Sequence, residues 1–427
     1  MIPDLRSEFN RQFNSSQYEL LLSTLESRCG APIGFRVAET PIFLPLTLLD
    51  QLAASGAEMA TALVADSDYL AAARLSIPPG YRVSRETGHP NFLTADFSLI
   101  RDEGSVGGLA PRLVEIQAFP SVFGYQAVLN SAYREVFDLR GSLGTYLGGL
   151  DEAGYWDLLR RTILGNFAPE NVVLTEVDPM NQKTLPDFLV TAERLGIEVV
   201  DIRSLKAEHG RLLYRGKSGR LIPIHRIYNR AIADELINRR VELPFALDGD
   251  WDVEWAGHPN WYFLISKFSI PWLFGSSNRF PVVPPGVFVR DFLEGDGRDR
   301  LIAAGVPLPA KVSSETVYSD LLLKPLFSFA GKGIQFEPSQ TQLEEIPRST
   351  RGDYLVQRRM HFEPTIATPH GMTQAEIRIL YLWPDGGKLT AALSLVRLGR
   401  GKMMGVDHNK NQEWVGASGA FYPMDRE

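Results

Sequence analysis

Cysteine is nearly absent: Cys29 is the only one in 427 residues. That excludes an intramolecular disulfide framework and any multi-thiolate zinc site. Cys29 follows an apolar helical pattern and precedes Gly30, so it reads as a thiol at a helix end. An excess of positive charge is also missing. The formal net charge is -7, which disfavours a general nucleic-acid binder, because phosphate backbones are held by surplus Lys and Arg. A local basic site for a small anion stays open. No apolar run reaches the length needed to span a bilayer, and the opening Met1-Ile2-Pro3-Asp4-Leu5-Arg6-Ser7-Glu8 lacks the apolar core of a secretory signal. These absences lead us to expect a cytoplasmic chain with no membrane and no nucleic-acid partner. The sequence has no internal repeat and no low-complexity segment. Its seven histidines are scattered, and no Ser/His or Cys/His arrangement suggests a protein nucleophile.

What is present is ordinary for a globular chain: 44% hydrophobic and 22% charged residues, with enough length for two or three cores. Residues 1–90 read as helical. Ser16 followed by Glu19 forms a capping-box pattern ahead of Leu20, Leu21, Leu22 and Leu25, and Gly30 closes that helix. Further helices are expected over Leu46 to Ala54 and Met59 to Leu75. Two strands, Asn91 to Arg101 and Arg112 to Phe119, flank a glycine-rich loop read as a hairpin connection. Helices follow at Tyr125 to Asp138 and Leu150 to Gly165. The strand Val172-Val173-Leu174-Thr175, the helix Thr184 to Leu195 and the strand Ile197 to Ile202 form a strand-helix-strand unit. A parallel sheet is expected there. Asn260 to Phe274 reads as an aromatic-rich helix carrying Lys267. The end of the chain is strand-rich. The expected class is therefore α/β (α+β).

Two clusters carry chemistry. In Leu321-Leu322-Leu323-Lys324-Pro325-Leu326-Phe327-Ser328-Phe329-Ala330-Gly331-Lys332-Gly333-Ile334, an apolar strand ends in a lysine that needs solvent or an anion. Gly331 and Gly333 let backbone N–H groups approach a ligand, and Lys332 adds charge. A plain hairpin with a Gly-Lys-Gly turn gives the same pattern. The segment is not a P-loop, which would need glycine where Leu326 stands. In Leu113-Val114-Glu115-Ile116-Gln117, Glu115 and Gln117 share a strand face while Val114 and Ile116 fill the other. Asp96 on the preceding strand can add a third oxygen. Such a set suits a hard cation such as magnesium, or simply a solvent-facing polar strand side.

Lys324-Pro325 followed by the glycine loop resembles the nucleotide site of the ATP-grasp superfamily. Asp96-Phe97, Asp102-Glu103-Gly104 and Arg112-Leu113-Val114-Glu115-Ile116-Gln117 resemble the metal-binding segment of glutathionylspermidine synthase. In that circularly permuted branch the metal strand precedes the phosphate loop, and here it does so by about two hundred residues. Val172 to Glu176, Gly196 to Val200 and Ile227 to Glu235 look like the pre-ATP-grasp portion of such proteins. The resemblance spans about residues 90 to 420. It leaves the helical region over 1–90 uncovered and implies permuted metal-binding strands with a helix over 91–150. A pre-ATP-grasp α/β domain over 160–250 and an ATP-grasp nucleotide-binding region over 255–427 would follow.

The resemblance also implies ATP and Mg2+ as cofactors and gives each residue a role. Asp96, Glu115 and Gln117 would hold the metal. Lys267, Lys324, Ser328, Gly331, Lys332 and Gly333 would hold phosphates. Val356 and Gln357, in a hinge strand, would read adenine through the backbone. Arg378 and Arg397 would be catalytic, facing transferring phosphate and substrate. Asn409 and Asn411 would form a polar substrate-side segment. The implied activity is carboxylate-amine ligation through an acyl phosphate, with small-molecule or peptide carboxylate and amine substrates. Gln117 stands where the family has asparagine. Thr94 stands where glutathionylspermidine synthase has an arginine for its acyl substrate, which speaks against a glutathione-like substrate. A nucleotide-binding scaffold without ligase activity, or a small-molecule kinase on the same fold, fits the same residues. Oligomeric state is not legible.

Overall fold

In the computed structural model the chain is described over residues 1–424, apart from 103, 105–107, 277–278, 329–332, 402–403 and 405–410. The architecture is α+β with several sheets. The central antiparallel sheet runs in the order Gly416–Ser418, Thr390–Gly399, Gly371–Leu382, Phe92–Arg101, Leu109–Gln117. It therefore joins strands from early and late in the chain. A second sheet, called here the lysine sheet, runs Gly286–Phe288, Tyr354–Arg358, Leu321–Pro325, Gln335–Phe336. A third, wholly parallel sheet runs Glu254–Ala256, Arg226–Asn229, Val172–Glu176, Glu198–Asp201. The strand-helix-strand pattern correctly foretold the parallel pairing of its last two members. No helix among the described residues is long and apolar enough to cross a membrane.

Strand alternation explains where the cores lie. On the central sheet Leu93, Ala95, Phe97, Ile377, Ile379 and Tyr381 belong to one buried cluster, with residues of the helix Leu46–Ala65. The opposite face changes character along its length. Phe92, Leu380, Leu382, Leu393 and Leu395 pack with Leu158, Leu159 and Ile163 of the helix Glu152–Leu164 and with the parallel sheet. Further along, that same face carries Asp96, Ser98, Glu376, Arg378 and Arg397. On the lysine sheet Leu321, Leu323 and Val356 enter a separate core with Phe292, Leu301 and Leu343. Leu322 and Lys324, out of phase with them, line a cavity.

Several local expectations change. The helix Ser15–Cys29 is capped by Asn14, whose side chain accepts from the N–H groups of Ser16 (2.8 Å) and Gln17 (3.3 Å). Asn14 lies one residue ahead of the first helical turn and intercepts its free donors, so Ser16 is already inside the helix. The expected break before Met59 does not exist: Leu46–Ala65 is one helix, and Asp66 caps the next, Ser67–Arg74. Gly56 sits inside it because Tyr381 leaves no room for a side chain: a Cβ there would lie 2.1 Å from the Tyr381 hydroxyl. The expected helix over Asn260 to Phe274 is two short ones, Trp261–Leu264 and Ser269–Gly275, with Lys267 in the break.

Candidate functional site: a cationic cleft between two sheets

Glu115 and Lys324 line one cavity of about 350 Å3, together with Lys267 and Ser328. The floor comes from the polar half of the central sheet and one wall from the lysine sheet. Backbone register sets the floor. Glu115 pairs with Asp96, Asp96 with Arg378, and Glu376 with Arg397 across adjacent strands. The pairing slips between Asp96 and Phe97, so Val114 is the extra residue of a bulge. Val114 consequently lines the cavity beside Glu115 rather than filling the opposite face, and Leu113 enters the core with Ile116. Strict alternation fails at that residue. Beyond the bulge, Gln117 lies opposite Thr94, outside the cavity lining.

Lys267 reaches the site because Ala118 N–H donates to the Ile265 carbonyl at 2.9 Å, tying its segment to the end of the Glu115 strand. Its Nζ donates to the Ser328 carbonyl at 2.6 Å and stands 3.7 Å from Glu115 Oε2. The Ser328 hydroxyl is buried without a partner among the described residues. Gly333 has φ +78°, a backbone that favours glycine, with Pro325 closing on the space where a side chain would be. Gly331, Lys332 and Asn409 lie outside the described residues. Asn411 is described, but is not part of the cavity lining.

Beneath the floor, Asp96 is only 1% exposed. Arg378 grips it with two parallel bonds, Nε to Oδ1 at 2.5 Å and Nη2 to Oδ2 at 2.6 Å. Arg397 Nη2 adds a third, to Oδ2 at 2.7 Å. Arg378 also stands 3.5 Å from Glu115 Oε1, and Arg397 stands 3.1 Å from Glu376 Oε1. Burial alone would raise the Asp96 carboxyl, but the two guanidiniums outweigh it and hold it below the usual range. Glu376 has weaker support: burial pushes its carboxyl up to about 7, Arg397 opposes this, and the Asp96 and Glu115 carboxylates reinforce it.

Lys324 is the odd group. It is 4% exposed and lines the cavity, yet its ammonium makes no hydrogen bond or ion pair among the described residues. Burial, then the neighbouring Lys267, bring its pKa down to about 8, against the pull of Glu115 and Glu376. A buried cation without a partner is costly, and the cavity is where an anion would relieve it.

Two expectations do not survive the geometry as read. Asp96 is not presented as a metal ligand, since both its oxygens accept from guanidinium groups. Among the described residues no group of three or more His, Cys, Asp or Glu side chains is arranged to hold a metal ion. With Asp96 engaged, the described side chains form no ready-made Mg2+ cage, and Glu115 is the expected metal carboxylate that still faces the cavity. Val356 and Gln357 lie in a strand paired on both sides, to Val287 and Gly286 and to Leu323 and Leu322, so ladder pairing engages this backbone and leaves none to read a base. The residues just after the strand, Arg359 to Phe362, line the cavity instead. The sequence reading missed them, together with Arg400 and an apolar wall of Leu322, Ile334, Phe336 and Met404. The run Arg358-Arg359-Met360-His361-Phe362 was a visible signal, because charge and aromatics break the strand period there.

No family profile matches the chain, and no curated protein matches its sequence. Among solved structures its fold is similar to a glutathione synthetase-like effector from Globodera pallida in the apo form. The likeness covers 95% of this chain and 97% of that chain at 11% identity, with a TM-score of 0.50. At that identity the likeness speaks for the fold alone: a glutathione synthetase-like α+β arrangement.

Proposed function

We propose that the cleft is an ATP-grasp-type nucleotide site, in the circularly permuted order, and that the chain is an ATP-dependent ligase joining a carboxylate to an amine. The observation that carries this is the buried Lys324 ammonium, without a hydrogen bond or ion pair among the described residues and facing the same cavity as Lys267 and Glu115. A polyphosphate would neutralise Lys324, and the apolar wall of Leu322, Phe336 and Met404 would take the base. Support comes from the sheet that unites the early Glu115 strand with the late strands and from the glutathione synthetase-like fold. In this reading a substrate carboxylate attacks the terminal phosphate of ATP and expels ADP, the amine then displaces inorganic phosphate from the acyl phosphate with loss of a proton, and an amide forms. The chain positions the reactants and offsets charge, with Lys267, Lys324 and Arg397 opposite the phosphates.

One observation favours a second reading, a nucleotide-binding partner without ligase chemistry: the carboxylate expected to take part in metal binding is locked by Arg378 and Arg397. Two measurements test the pair. ATP should raise the melting temperature of the wild-type chain and leave Lys324→Ala unshifted; an equal shift in both would exclude this cleft. ADP release in the presence of pooled carboxylates and amines should follow if ligation occurs. Binding without any ADP release would leave the second reading.

A further inference from the structure

We propose that this cleft holds a polyphosphate directly on its own cations, without a divalent metal ion between them. The inference rests on the nucleotide reading above and turns on the charge balance of the site. Three carboxylates sit at the floor, and each already has a fixed cation. Asp96 has Arg378 and Arg397, Glu376 has Arg397, and Glu115 has Lys267 at 3.7 Å and Arg378 at 3.5 Å. Two further cations of the cavity have no carboxylate among the described residues. Lys324 is one. Arg400 is the other: its guanidinium donates to the Thr373 and Thr368 hydroxyls, each at 3.1 Å, and to the Glu413 carbonyl at 3.0 Å. A divalent cation would bring two more positive charges to a place that already has a surplus and whose most buried carboxylate is fully engaged. An anion would meet that surplus directly. Charge-assisted bonds from ammonium and guanidinium groups then do what a bridging metal does elsewhere, and a bidentate guanidinium suits phosphate oxygens.

Titrating the full-length chain with ATP, and separately with inorganic tripolyphosphate, in EDTA and in excess Mg2+ tests this. Removing the metal should weaken ATP binding by no more than about threefold, whereas a site that needs a bridging cation loses about a hundredfold or more. Asp96→Asn gives opposite signs for the two ideas. It keeps the shape and releases guanidinium charge, so binding in EDTA should tighten; a metal ligand lost at that position would instead weaken binding in Mg2+. Should Asp96→Asn fail to fold, Arg400→Gln serves, and it should weaken tripolyphosphate binding in EDTA at least about fivefold. ATP binding seen only with Mg2+ overturns the inference and leaves the nucleotide site standing. No binding under either condition removes both, and an unchanged Arg400→Gln overturns the direct cation-to-phosphate contact.

Discussion

Lys324 and Glu376 are held at the expense of stability, in opposite directions of pH. Lys324 has a folded pKa of about 8, below the ordinary 10.5. Between those values the unfolded chain binds more protons. Its contribution to stability therefore rises with pH across that window, and the full penalty applies below it. Replacing it by methionine should stabilise the ligand-free chain at pH 7 by ~1–3 kcal/mol, in a denaturant titration, while nucleotide binding is lost. A loss of stability in Lys324→Met would mean that the ammonium has a partner after all. Binding itself should weaken as pH rises through about 8 and the ammonium loses its proton. Glu376 runs the other way in a different window. Its folded pKa, about 7, lies above the ordinary 4.5, so the native chain holds the extra proton and stability from this group falls as pH rises from 4.5 to 7. Glu376→Gln should flatten that slope.

At the scale of elements, the helix Leu46–Ala65 and the strand Gly371–Leu382 meet where a side chain has been given up. The Tyr381 hydroxyl donates to the Ala53 carbonyl at 2.9 Å and occupies the space over Gly56. Gly56→Ala should cost ~1–3 kcal/mol by overpacking, despite alanine's better helix propensity. Adding Tyr381→Phe should recover part of it; purely additive losses would show that the contact is not the cause. This pair also explains what the sequence could and could not reveal. Strand and helix periods were legible along most of the chain because the faces of an element differ in role: Leu321 and Leu323 enter a core while Leu322 and Lys324 line the cavity, and Ala95 and Phe97 enter a core while Asp96 meets the arginines. A helix that continues through a buried glycine was not, because the reason for Gly56 lies more than three hundred positions away in sequence, at Tyr381. The bulge at Val114 was hidden for the same reason: one extra residue shifts every later side chain, and only pairing with Asp96 fixes where. Residue types at the cleft were legible as charged positions on strands. Their partners were not, since a carboxylate that reads as a metal ligand in one strand reads as an arginine clamp once Arg378 and Arg397 are brought beside it.

For the whole molecule, the cleft lies where two sheets meet. One face of the lysine sheet rests on the cluster around Phe292, Leu301 and Leu343, while Leu355 on its other face joins the core that holds Ile377 and Ile379 of the central sheet. The Lys267 ammonium crosses the gap, holding the Ser328 carbonyl on one side and Glu115 on the other. A ligand that satisfies Lys324 must touch Leu321–Pro325 of the lysine sheet and, to meet Arg397, Thr390–Gly399 of the central one. It would bridge the two sheets and shield backbone on both from solvent. Hydrogen exchange with saturating ATP should therefore slow amides in both strands and in Gln335–Phe336, and leave the parallel sheet unchanged. Protection confined to one sheet would mean that the anion does not span the cleft, and the convergence of Lys324, Lys267 and Arg397 on one ligand would fall with it.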